Sequence, residues 1–318
     1  MSKSTSEVQS ATSLVFASYD AFTDVPYSGS QSAVILGASG ISEAHRAKIA
    51  KEIGAPATSF VDDVSGNRVK VQFFSTVMEL PMCGHGTVCL ITRLVENNLL
   101  KSGGEDWNEV ILDLPKGPSV VQYRRNTAGR CEVMLNVTPA DYSPAEINMD
   151  VLAKLLGVDC TAFSQNLPVE VATGDFIHLC LPLRNCAAMN ALQPDFGALA
   201  DFCIANNLET IATFSTETVN PDRNIHVRDF CPAVGVAESA AAGTTNAALA
   251  GYLWRNNLIT PNSDGLVTVQ AEQGIKLGRP SHVTSHIATT KGLIKRIQVG
   301  GVASKIIEGF LNTKMDAA

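Results

Sequence analysis

One feature constrains this chain more than any other: a stretch near residue 80 returns, without a gap, in the second half. Glu79-Leu-Pro-Met-Cys83-Gly84-His85-Gly86-Thr87 superimposes on Glu238-Ser-Ala-Ala-Ala242-Gly243-Thr244-Thr245-Asn246, an offset of 159 residues. The match continues: Leu90, Leu94, Asn97, Asn98 and Leu99 meet Leu249, Leu253, Asn256, Asn257 and Leu258. An alternating, strand-like run precedes each copy, Val69–Phe74 in one and Asn224–Phe230 in the other. A Gly-rich turn follows, and then a helix of about three turns that is apolar on most sides, the mark of a buried helix. A chain of 318 residues is long enough for two domains. The repeat therefore predicts an α+β fold of two pseudo-symmetric domains, each a curved sheet around one central helix.

Further strands are expected at Ser13–Tyr19, Ala33–Leu36, Glu109–Leu114, Glu132–Asn136, His178–Pro182 and Leu266–Gln270, with surface helices over Glu43–Ile53, Met149–Leu156 and Phe196–Asn206. Asn166–Pro168 and Thr260–Asp264 read as loops. The Ser/Thr-rich opening, residues 1–12, reads as a frayed tail rather than a signal peptide. The first domain is expected over residues 13–125 and the second over 131–291, with the polar Tyr123–Arg130 stretch between them.

Hydrophobic residues make up 45% of the chain and charged residues 17%, which suits a globular protein with real cores. The net charge is -7 with no basic stripe, so no nucleic-acid partner is expected. No apolar run is long enough to cross a bilayer. Eight cysteines are scattered without a CxxC pair, which argues against a zinc site and for reduced thiols in a cytoplasmic protein. No GxGxxG or Walker pattern follows the first strand, so no nucleotide cofactor is expected. A homodimer would be an ordinary outcome.

The two Gly-rich turns are the candidate site. Glycines between a strand and a helix leave backbone N–H groups exposed at the positive end of the helix, a natural seat for a carboxylate. Two such turns facing each other across a cleft would grip a small anion from both sides. Cys83 sits at the start of one helix, where a thiol is expected to have a lowered pKa and to serve as an acid/base. A cysteine before a turn is more often a small packed hydrophobe; the combination Cys83-Gly84-His85-Gly86-Thr87 ahead of a buried helix is the specific signal.

That turn resembles the first active-site turn of the diaminopimelate epimerase / proline racemase / PhzF superfamily. The chain is most similar to the PhzF-like (phenazine biosynthesis isomerase) branch over roughly residues 14 to 310. Asp20–Gly29 resembles its opening strand and loop, Val171–Gly174 its mid-chain strand, and Phe230–Gly243 its second active-site turn. The resemblance implies a mixed β-barrel around each central helix, return of the last strands (about 292–311) to the first domain, and proton transfer without a metal or organic cofactor. The departures are specific. Ala57 stands where PhzF-like isomerases carry a catalytic Glu, Ala242 where two-base epimerases have a second Cys, and Ser239 where the PhzF-like branch has an acidic residue. An Asn of the opening loop is replaced near Ser30.

Racemisation by two thiols is disfavoured with Ala242 opposite Cys83. A single thiol can instead return a proton elsewhere on the same face, giving a cofactor-independent isomerase of a small amino- or imino-acid-like carboxylate. It can also assist a leaving group, giving a dehydratase or lyase, or serve an epimerase of a related substrate. A reading of another class is a non-catalytic protein that binds a small ligand. The expected catalytic set is Cys83, Glu238 and Asp175, the last paired with His178 as a replacement acid/base. Glu238 could equally hold an ammonium or imine group, or only cap its helix. Gly84, His85, Gly86, Ser30, Ser239, Gly243 and Thr244 are the expected substrate-binding positions.

Overall fold

The computed structural model describes residues 13–101, 104–262, 265–290 and 292–313; the opening stretch 1–12 lies outside the described residues. The chain divides into two compact units. Of the described residues, one takes in those up to Pro26, within Gln31–Val133 and from Val302; the other takes in Tyr27–Ser30 and those within Met134–Gly301.

In the first unit, β1 (Ser13–Ala21) pairs antiparallel with the C-terminal strand Ala303–Asn312. β2 (Ser30–Leu36) leads through helix α1 (Glu43–Ile53) to β3 (Ala57–Ser65), which lies parallel to β2. β4 (Arg68–Phe74) returns antiparallel to β3. It buries Val69, Val71 and Phe73 and exposes Arg68 and Lys70, the two-residue period of a strand with one covered face. The short β5 (Glu79–Leu80) pairs antiparallel with the end of β4, and helix α2 (Gly84–Glu96) follows. β6 (Asn108–Leu114) then lies parallel to β4, and β7 (Gly117–Arg125) antiparallel to β6. The division between the units falls within β8 (Cys131–Val137).

The second unit opens with β9 (Asp141–Pro144), α3 (Met149–Leu155), β10 (Glu170–Thr173) and β11 (Ile177–Pro182). It then repeats the path of the first. Helices α4 (Cys186–Ala191) and α5 (Phe196–Ala205) lead to β12 (Thr210–Ser215), parallel to β11. β13 (Ile225–Cys231) is antiparallel to β12, and β14 (Val236–Ser239) antiparallel to β13. After helix α6 (Gly243–Arg255), β15 (Leu266–Gln273) runs parallel to β13 and β16 (Ser281–Thr290) antiparallel to β15. β17 (Leu293–Gly301) stays with this unit, so β18 (Ala303–Asn312) alone returns to the first. Each half is thus a mixed sheet with few helices, and the expected helices at Glu43, Met149 and Phe196 are α1, α3 and α5.

The repeat persists into the helix ends. Both α2 and α6 stop at an Asn-Asn pair whose second member, Asn98 or Asn257, is left-handed at φ 57. Asparagine tolerates that conformation better than other L-residues do. It lets the Leu99 N–H reach Leu94 O at 2.9 Å and the Leu258 N–H reach Leu253 O at 2.9 Å, satisfying carbonyls the helix leaves open. In α2 every residue from Gly86 to Val95 is buried, against β1, β3 and β18. Leu90, Ile91 and Leu94 are wholly covered, each contributing roughly 1.5–3 kcal/mol of burial. In α6 the buried run is Thr245–Leu253, packed on β11, β15, β16 and β17. A separate core lies under α1, where Phe60 and Phe74 meet edge to face at 5.5 Å. Among the described residues no helix is long and apolar enough to cross a membrane.

Candidate active site

Cys83 is the extended residue that caps α2, with φ -144 and ψ 112. Its carbonyl accepts the first helical bond, from the Thr87 N–H at 2.8 Å. The amides of Gly84, His85 and Gly86 precede that bond and have no acceptor within the helix. A Cβ placed on Gly84 would meet nothing within 4 Å. Gly86 is the opposite case: a Cβ there would lie 3.1 Å from both Cys83 Sγ and the Phe73 ring. The missing side chain lets the thiol rest against the turn.

The thiol is 6% exposed. The sequence expectation of a lowered pKa needs correction. Burial dominates and pushes Cys83 up to about 12, while the Gly86 N–H pulls only partly the other way. Burial also pulls His85 down to about 4. Sγ lies 3.5 Å from Nδ1 of His85 and 3.7 Å from Nε2. A sulfur nearly equidistant from both ring nitrogens is off the lone-pair direction of each. The pair is therefore a neutral thiol beside a neutral imidazole, not a thiolate–imidazolium couple.

The second turn has the same backbone and different chemistry. Ala242 caps α6 with φ -130 and ψ 118, so nothing nucleophilic stands where Cys83 stands in the first. Gln273 holds this turn in shape. Its Oε1 accepts from Asn246 Nδ2 at 2.8 Å and from Ala242 N at 3.4 Å, and its Nε2 donates to Ser239 O at 2.9 Å. Gly243 sits tightly, since a Cβ would come 3.1 Å from Val299 Cγ2; Thr244 is half-buried. Glu238 is engaged by Arg228. The guanidinium donates Nε to Oε1 at 2.9 Å and Nη2 to Oε2 at 2.8 Å, with both side chains 5% exposed. Glu238 thus closes a buried ion pair, and its carboxylate is saturated by a fixed cation.

These features of strand, turn and helix run through most of the chain's length, and so does its likeness to known proteins. Residues 19–309 match the family described as phenazine biosynthesis-like protein. The chain belongs to that family. It is 27% identical over 307 residues to an uncharacterized isomerase of Deinococcus radiodurans, covering 92% of this chain and 93% of that protein. It is 26% identical over 286 residues to the trans-2,3-dihydro-3-hydroxyanthranilate isomerase of Pseudomonas fluorescens, covering 89% and 93%. Its fold is that of the Bacillus anthracis phenazine biosynthesis protein of the PhzF family, with a TM-score of 0.84 at 22% identity over 94% of this chain and 99% of the other.

In this phenazine biosynthesis-like protein the remaining expected site residues fall apart. Asp175 is exposed in the hairpin between β10 and β11 and accepts from the Thr138 hydroxyl at 2.8 Å. His178 is buried; its Nδ1 meets the Thr210 hydroxyl at 2.7 Å, and burial lowers it to about 4. The two side chains have separate partners, so the anticipated acid/base pair does not form. Ser30 opens β2, 8% exposed, just after the Ser28 and Gly29 carbonyls that Arg279 binds at 2.9 and 2.8 Å. Ser239 is half-buried on β14, opposite Asp229. Ala57 is fully buried, and two residues along the same strand the Ser59 hydroxyl is buried without a hydrogen-bond partner. Among the described residues no cluster of three His, Cys, Asp or Glu side chains could hold a metal ion.

Sequence reasoning passed over Asp229. It lies in β13, all seven residues of which are buried, and it accepts from the Thr245 hydroxyl at 2.8 Å under the first turn of α6. Burial raises its pKa to about 6. An Asp between an Arg and a Phe in an alternating strand reads as solvent-facing, and only the covered second face shows otherwise.

Proposed function

We propose that this isomerase moves a proton, and with it a double bond, within a small amino- or imino-acid-like carboxylate, with Cys83 as its acid/base. The observation that carries this reading is the seating of the Cys83 thiol against Gly86 at the head of α2, beside amides with no acceptor within the helix. Those amides are the seat for the substrate carboxylate. The raised pKa fits a thiol that gives its proton first. Cys83 S–H protonates one carbon of the unsaturated system; the thiolate, beside Gly86, then removes a proton from another carbon on the same face. The thiol is regenerated and no electrons leave the substrate. His85 stays neutral and orders the substrate's polar groups beside the sulfur. With Ala242 in place of a second thiol, return on one face favours double-bond migration over racemisation. The curved sheet of each unit, closed round α2 or α6 as a barrel, is the scaffold we assign to this chemistry.

The test is hydrogen exchange in D2O. Amino acids, hydroxyprolines and cyclic imino acids are incubated with wild type and Cys83→Ala, and each is followed by proton NMR. Deuterium should enter one compound with the wild type, and the rate should fall at least a hundredfold in the variant, within the usual range for a lost acid/base. Exchange by Cys83→Ala at the wild-type rate would refute the assignment.

A further inference from the structure

The two turns are copies in backbone but differ in what lies beneath them. In the first unit β4 faces β5 with Phe74 opposite Glu79 and Phe73 opposite Leu80. In the second, β13 faces β14 with Phe230 opposite Glu238 and Asp229 opposite Ser239. Glu79 and Glu238 are repeat partners, so Phe73 and Asp229 hold the same place. Their contacts agree: Phe73 lies under Gly86, and Asp229 lies under Thr245, the repeat partner of Gly86. A ring beneath a glycine in one unit is thus a carboxyl beneath a threonine hydroxyl in the other.

Asp229 is 1% exposed. One oxygen takes the Thr245 hydroxyl, and the Cys231 thiol and Thr210 hydroxyl also act on the carboxyl, yet burial outweighs all three. Among the described residues no cation pairs with it. Glu238 on β14 is held by Arg228, and His226, on β13 with Asp229, is committed to Glu272 on β15 at 2.8 Å. His178 on β11 is neutral, burial raises the thiols Cys231 on its own strand and Cys203 on α5, and α6 has no acid in its first turn. Through Thr245 the carboxyl lies against the first turn of α6, where the amides of Gly243, Thr244 and Thr245 have no acceptor within the helix. A charge under those amides opposes the field that draws anions to a helix start. At the head of α2 the corresponding place holds a phenyl ring. Asp20, an acid on β1, acts on Cys89, more than one turn further along that helix.

We propose that Asp229 is a specificity-determining residue: its charge reserves the α6 turn for an uncharged or cationic group. The inference rests on the reading above, in which turn amides bind the substrate. It implies that the α6 turn takes a hydroxyl, amine or imine in preference to a carboxylate. It also sets a direction with pH. Asp229 is ionised above about 6 and neutral below, so anion affinity at the α6 turn rises as pH falls through about 6. A like charge about 6 Å away at an effective dielectric near 20 weakens an anion by up to about a hundredfold.

The test uses acetate as probe and backbone amide NMR of the full chain. Acetate is titrated at pH 5 and 7.5 into wild type and Asp229→Asn, following Gly243 and Thr244 in one turn and Gly84 and Gly86 in the other. The expected result is acetate binding at the α6 amides at least tenfold tighter in Asp229→Asn than in wild type at pH 7.5, and tightening in wild type at pH 5. Equal affinity in the two proteins at pH 7.5, or no response of the α6 amides under any condition, overturns the proposal. Should the variant fail to fold, wild type decides alone: affinity at the α6 turn unchanged between pH 5 and 7.5 also overturns it. Silent α2 amides with responsive α6 amides would instead remove the carboxylate seat proposed for the first turn and leave the role of Asp229 standing.

Discussion

Replacing Glu238 by Ala tests whether this residue is structural in the way its contacts require. The substitution leaves the Arg228 guanidinium buried, with Nη1 still on Met189 O at 3.0 Å and Leu192 O at 3.2 Å, and with Nε and Nη2 stripped of their acceptors. Arg228 also stacks over the Phe230 ring at 4.9 Å, so it cannot swing out without uncovering that face. Removing one partner of a buried pair costs about 3–5 kcal/mol, because the remaining charge has neither water nor counter-ion. Both side chains are 5% exposed, so solvent screening reduces this little. Urea unfolding, followed by a probe in the second unit, should show the loss as a midpoint lowered by roughly 1–3 M at an ordinary slope. The double variant Arg228→Met/Glu238→Leu should recover most of it, since an apolar pair of similar volume needs no counter-ion. A Glu238→Ala protein within about 1 kcal/mol of wild type would refute the reasoning. Lost exchange activity at unchanged stability would make Glu238 a substrate-contacting group instead.

Cys83 should alkylate slowly in the ligand-free protein. A thiol at about 12 has about a thousandth of the thiolate, near neutral pH, of one at its ordinary 9.0. Iodoacetamide labelling, mapped by mass spectrometry, should therefore rise about tenfold per pH unit from 7.5 to 10, and rapid labelling at pH 7.5 would show that burial does not dominate. Gly251→Ala should destabilise the second unit by about 1–3 kcal/mol, because the new methyl overlaps the Tyr142 hydroxyl, which donates to Ala248 O at 2.6 Å. Thermal unfolding checks this, and Gly251→Ala/Tyr142→Phe should regain part of the loss.

The 159-residue repeat was enough to place α2 and α6, their preceding strands and their Asn-Asn ends, because helix burial, turn glycines and left-handed asparagines are all written in local residue types. The first turn was legible for the same reason: Cys83, Gly84, His85 and Gly86 are neighbours in sequence as well as in space. β12, Thr-Ile-Ala-Thr-Phe-Ser, was not named, since a short run buried at every residue has no period to distinguish strand from helix. The helix α4, only six residues long, likewise had too little pattern to show.

What tertiary structure decided is the charge and partnership of each polar group. A thiol at a helix start carries two opposed influences, and only its depth, 6% exposed, shows that burial prevails. Glu238 and Arg228 are ten residues apart, and no spacing rule announces that antiparallel β13 and β14 bring them together. Asp175 and His178 are close in sequence yet meet Thr138 and Thr210, because Asp175 lies in the exposed hairpin turn and His178 inside the buried strand β11. Asp229 gains its unusual setting from Thr245, sixteen residues on, and from strands that close over it. Sequence by itself determined the repeating framework and the first turn; desolvation and cross-strand pairing, which depend on what surrounds a side chain from every direction, determined which of the acids and bases remain free to act.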